Sequence, residues 1–155
     1  MSTISLTCLP RTPEHLKAAL DSFDVEHAPQ YQRRPLIKDG PIYTFCNQFV
    51  QDACELLGVP LPRGLLARQQ IAWWDSQLGQ KAGWFEVLTA VEADRLSSLG
   101  RPVVATWLNP DKNKSSHVAM LRSPGRITQA GAHNYNDAPL VKGFGSYLPR
   151  FWANS

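Results

Sequence analysis

Apolar residues in the first hundred positions recur at helical spacing. Leu16, Ala19, Leu20 and Phe23 form one stripe, preceded by Thr12-Pro13-Glu14, which supplies an N-cap, a first-turn proline and an acid at the positive helix end. Phe45, Phe49, Val50, Ala53, Leu56 and Leu57 form a second and stronger face, closed by Gly58 and Pro60. Residues 65 to 77 predict a third helix carrying Trp73 and Trp74. Thr89-Ala-Val-Glu92 is a capping-box pattern opening a helix through Leu96 and Leu99 that stops at Gly100. Between the first two helices, residues 28 to 42 hold Pro29, Pro35, Gly40 and Pro41 among basic residues and read as an irregular loop.

From residue 101 the pattern changes to strands. Pro102 to Leu108, His117 to Arg122 and Arg126 to Gly131 are β-rich runs, separated by the polar turn 109–116 and by Ser123-Pro124-Gly125. A last candidate strand lies around Tyr147 to Trp152. Helices first and an antiparallel sheet second predict an α+β fold rather than a doubly wound parallel one. Pro and Gly are scattered rather than gathered into a linker, so residues 1–155 read as a single domain.

Composition narrows the picture. Apolar residues make up 43% and charged residues 19%, which supports a packed core and excludes whole-chain disorder. A net charge of +3 favours an anionic partner surface but is too small to argue for nucleic acid. No apolar run approaches membrane-spanning length, so no membrane insertion is expected. Met1 to Pro10 lacks the basic start and long apolar run of a secretory leader. The expectation is a chain made in the cytoplasm that leaves only by a dedicated device.

The candidate chemistry centres on cysteine. Cys46 opens the second helix, where unpaired N–H groups and the helix dipole predict a stabilised thiolate and a site for an oxyanion. Cys54, two turns deeper, reads as a small core residue, and Cys8 carries no signal. A nucleophilic cysteine needs a base, and His117 starts the second strand. The base in turn needs a partner for its second ring nitrogen. If Ser123-Pro124-Gly125 is a three-residue loop, Arg122 faces Arg126 and Gln129 shares the sheet face of His117. A two-residue loop flips the parity, and Asn134 becomes the better partner. His133 reads as a surface histidine. The four histidines show no metal-ligand spacing, so neither metal nor cofactor is expected. Trp73, Trp74, Trp84 and Trp107 read as core packing before groove walls, and Trp74 with Asp75 is the first pair to test as a wall. Tyr31 and Gln32 are candidate oxyanion donors, and Lys112, Lys114 and Arg33-Arg34 read as solvated surface or, alternatively, as a basic rim for an anionic cell wall.

Thr44-Phe-Cys46-Asn-Gln-Phe-Val50 with Leu57-Gly-Val-Pro-Leu-Pro62 resembles the nucleophile helix of NlpC/p60-type cysteine peptidases. Ser116-His117-Val118-Ala119 with Ile127-Thr-Gln129-Ala-Gly131 is similar to that family's histidine strand and the strand after it, which bears the third catalytic polar residue. The resemblance covers about residues 43 to 131 and looks closest to small peptidoglycan amidases delivered as type VI secretion effectors. Phe45, Asn47-Gln48 and Ser116 depart from the family's usual residues at those places.

The resemblance implies a papain-like fold and a cysteine amidase or endopeptidase acting on peptidoglycan stem peptides. Cys46, His117 and Gln129 would be catalytic, and Trp74, Asn47 and Asn134 would contact substrate. It implies action in the periplasm of a target cell, as an injected antibacterial toxin with an immunity-protein inhibitor or as a phage-type lysin. The rival expectations are thiol acyl transfer by the same pair and a non-catalytic wall-binding module.

Overall fold

The computed structural model describes residues 11–155; Cys8 lies outside them. The chain folds as α+β, with helices on both faces of an antiparallel sheet. Helix α1 spans Pro13–Ser22, with the Thr12 hydroxyl accepting the His15 N–H. A 3-10 turn at Pro29–Tyr31 follows. The loop after it contains a two-stranded hairpin, β1 (Arg34–Pro35) and β2 (Ile42–Tyr43), where the sequence reads as irregular.

Helix α2 spans Cys46–Leu56 and buries Cys46, Phe49, Val50, Ala53 and Cys54. It closes as its Gly58 predicts. Gly58 takes φ 71°, and the N–H groups of Gly58 and Val59 return to the carbonyls of Glu55 and Cys54. The expected third helix is two, α3 (Ala67–Trp74) and α4 (Gln77–Lys81), because Ser76 caps a new start. After β3 (Trp84–Val87), α5 spans Ala90–Ser98 with Thr89 as its cap.

The remaining elements are β4 (Val103–Trp107), β5 (His117–Arg122), β6 (Arg126–Gln129), β7 (Tyr135–Pro139), α6 (Leu140–Phe144) and β8 (Arg150–Asn154). The six-stranded sheet runs β3-β8-β4-β5-β6-β7. Side chains alternate between its faces with period two. Val104, Val118 and Met120 pack into the layer of α1, α2 and α3 with Leu20, Phe49, Ile71 and Trp74. Val103, Ala105, Ala119, Leu121 and Ile127 face Leu96 of α5 and Phe144 of α6.

The β5–β6 turn settles the register. Arg122 pairs with Arg126, Leu121 with Ile127 and Met120 with Thr128, with Gly125 at φ 61°. This is the three-residue loop, so Gln129 lies on the face of His117. A register shift between Ile127 and Gln129 in the β6–β7 ladder loosens the sheet beside that end.

Candidate active site

Cys46 occupies the first turn of α2, and its side chain is buried against the start of β5. The backbone N–H groups of Val118, the residue directly after His117, of Asn47 and of Cys46 itself lie on the sulfur's side and favour its thiolate form. The two partners come from opposite layers: α2 packs on one sheet face, while the imidazole lies on the other, its ring centroid 5.0 Å from that of Phe144.

His117 and Gln129 meet across the β5–β6 pair. The imidazole Nε2 lies 2.7 Å from Gln129 Oε1, and Gln129 Nε2 donates to the His133 carbonyl at 2.8 Å. That second bond fixes which end of the amide faces the ring. An amide oxygen only accepts, so Nε2 must carry the proton, which leaves the Nδ1 lone pair as the base. Helix α6 holds this pair from above. A Cβ added to Gly143 would collide with Gln129 Oε1 and Ile127 Cδ1, so a larger residue there would have to push the amide aside.

Electrostatics correct one expectation. Burial pushes the Cys46 thiol above its ordinary value, and the nearby backbone N–H groups only partly offset that. Burial likewise pulls His117 below the usual imidazole range, against the opposing bond from Gln129. The resting pair is a neutral thiol and a neutral imidazole, not the standing thiolate that the helix start predicts. Among the described residues, the hydrogen bond of the imidazole runs to Gln129, and none joins it to the sulfur. Chemistry here requires proton transfer at the moment of attack.

A cleft of about 450 Å³ opens onto Cys46. The exposed Ile42, Tyr43 and Leu66 line it, together with Arg68, Lys112, Lys114 and the 113–116 segment. Asn47 lines it too, with its amide donating to the Leu65 carbonyl. A separate apolar cavity of about 420 Å³, lined by Val87, Leu140, Phe144 and Phe151, holds no nucleophile.

Several expected site residues serve the framework instead. Trp74 is 0% exposed and packs edge-on against Trp84, so it is core and not a groove wall. Trp84 is buried and donates to the Pro60 carbonyl. Trp73 packs against the core, and Trp107 stacks on Tyr147. Asn134 accepts from the Gly131 N–H and donates to the Val25 and Tyr31 carbonyls, which spends its amide on the fold. The buried Tyr31 donates its hydroxyl to Asp52, and Gln32 donates to the Val25 and Ala28 carbonyls. Neither is free to hold an oxyanion.

Sequence reasoning missed Arg68, Gly143 and Phe144. The only available signal was the small residue in the Val-Lys-Gly-Phe run at 141–144, which has no motif around it. Among the described residues, no group of three His, Cys, Asp or Glu is placed to hold a metal ion, and no helix is long and apolar enough to cross a membrane. No family model and no curated protein matches the chain.

Proposed function

We propose that this protein is a cysteine amidase or endopeptidase of the NlpC/p60 type, with a papain-like arrangement of nucleophile helix and sheet, acting on the stem peptides of peptidoglycan. The observation that carries the reading is the pinned Gln129 amide 2.7 Å from His117 Nε2. It leaves the ring's basic nitrogen unspent at the strand end whose next residue, Val118, packs in the same core cluster as Cys46. The motif resemblance around Cys46 and His117 supplies the substrate class.

The reaction runs in two halves. For the first, the His117 ring must come round the end of β5 to the sulfur; there Nδ1 takes the thiol proton as Cys46 Sγ attacks the amide carbonyl, and first-turn N–H groups of α2 steady the oxyanion. The imidazolium gives that proton to the leaving amine, which breaks the C–N bond and leaves a thioester. Water, deprotonated by Nδ1, then attacks the thioester, and the thiol and a carboxylic acid are released. Gln129 holds the ring in one tautomer throughout.

By the same resemblance, the reading assigns the protein to delivery into a target cell, as an injected toxin with a matching immunity protein or as a lysin. Mass analysis of muropeptides from purified sacculi tests it: new stem-peptide fragments from the native protein and none from Cys46→Ala support it. Intact sacculi with both would overturn it. A second reading, acyl transfer by the same pair, draws on the exposed Ile42, Tyr43 and Leu66 at the cleft. It predicts a thioester on Cys46 resolved by an amine or hydroxyl acceptor in preference to water.

A further inference from the structure

The segment between β4 and β5 is the most tightly organised loop near the sulfur, although it is polar and exposed. The Asn109 Oδ1 accepts the Asp111 N–H, and the Asp111 Oδ1 accepts the Asn113 N–H, both at 2.9 Å. The Ser116 hydroxyl accepts the Asn109 N–H at 3.0 Å. Arg68 reaches across from α3 and donates to the carbonyls of Asn109 and Asp111. These bonds tie the loop backbone down, and one Asp111 carboxylate oxygen is engaged by the Asn113 N–H. What the fixed loop presents to the cleft is Lys112 and Lys114, beside Arg68.

Three cations and no acid line the cleft that reaches Cys46. Neither lysine has an ion-pair partner among the described residues. A built, unneutralised positive wall beside a nucleophile is the complement of an anion carried near the scissile bond. On the hydrolase reading above, the anion available on a stem peptide is a free carboxylate flanking the amide. We propose that Lys112 and Lys114 form a subsite that reads a substrate carboxylate beside the bond attacked by Cys46, so that a stem peptide bearing carboxamides there is a poor substrate. The carboxamide has the same shape but no charge, and it directs N–H donors at ammonium groups that can only donate.

The test uses purified disaccharide-peptide muropeptides in two forms, identical except that the stem carboxylates are free or amidated. They carry no phosphate, so any selectivity among them belongs to the carboxylate. The expected result is a kcat/KM about tenfold to a hundredfold higher for the free-acid form, expressed mainly in KM and shrinking as salt is added. In Lys112→Gln/Lys114→Gln the preference falls toward unity, and Lys112→Arg/Lys114→Arg restores it. Both lysines are exposed, and an unchanged melting temperature checks that the variants fold. Equal rates on the two forms with native protein, or a preference that survives the Gln pair, would overturn the proposal. Cleavage of neither form by native protein would overturn the hydrolase reading itself, and the subsite with it.

Discussion

Helix α2 carries two cysteines eight residues apart, and the two ends of that helix differ in one instructive way. Both thiols are buried, and burial pushes both above the ordinary thiol value. At Cys54 burial is the whole story, with Ala53, Val50 and Phe49 as buried neighbours in the same core. At Cys46 nearby backbone N–H groups favour the thiolate, the residue lines a cleft, and the strand packed beside it begins with a histidine whose tautomer is fixed. Burial alone makes a thiol inert; donors, access and a fixed base are what separate a nucleophile from a core residue. Here the first two gather at one end of one helix, and the third stands at the adjoining strand end, on the other face of the sheet.

The sharpest way to break the comparison is to remove each sulfur in turn. Cys46→Ala should lower stem-peptide cleavage more than about a thousandfold, with the melting temperature nearly unchanged, as read by muropeptide release and thermal unfolding. Replacing the base's partner comes next. Gln129→Ala should lower kcat about tenfold to a hundredfold, by freeing the imidazole to take the wrong tautomer or orientation. Asn134→Ala should spare kcat more and instead lower stability by about 1–3 kcal/mol, since it strands the Gly131 N–H and two carbonyls. Gly143→Ala probes the same pair from above. Its methyl displaces Gln129 Oε1, so kcat should fall about tenfold while KM holds.

Reactivity toward a small alkylating agent sharpens the contrast further. With its thiol raised, Cys46 holds little thiolate at neutral pH, so iodoacetamide labelling should be slow at pH 7 and climb only as pH rises past the ordinary thiol range. Cys54, with no cleft, should label only on unfolding. A lowered His117 also links to stability. The unfolded chain binds the proton first, so stability should fall as pH drops below about 6.5 and level off once the folded-state histidine is protonated. Thermal melts in which His117→Gln removes that slope would confirm the assignment. The smallest effect expected is Cys54→Ala, about 1 kcal/mol of stability from the cavity left behind, with cleavage intact.

Much of this was legible before any coordinates. Thr12, Thr89 and Gly58 mark helix ends because a cap or a left-handed residue is a local requirement, and the structure uses each of them that way. The His117–Gln129 pair followed from parity once a three-residue turn was assumed, since a strand's side chains alternate without exception over so short a run. What escaped were the elements with little local signal. Strand β7 (Tyr-Asn-Asp-Ala-Pro) buries only Ala138 as an edge strand, so no apolar alternation announces it. Helix α6 has five residues and exists to cover the sheet. Strand β3 is four residues long and joins the sheet through β8, a partner more than sixty positions later.

Charge state escaped for a related reason. A helix start argues for a thiolate, but how deeply the sulfur sinks is a tertiary fact, and here desolvation wins. Trp74 misled in the same direction. It is aromatic enough for a groove wall, yet it sits at a position that α3 turns wholly inward.

The central claim is that one particular sulfur becomes covalently bonded to a substrate acyl group with the help of one particular imidazole. Intact-protein mass spectrometry of the native chain quenched in acid during digestion of muropeptides measures this directly. The account predicts an adduct of the acyl fragment's mass that maps to Cys46, is absent in Cys46→Ala, and forms far more slowly in His117→Ala. Cleavage without any adduct on Cys46, or undiminished cleavage in Cys46→Ala, would contradict it.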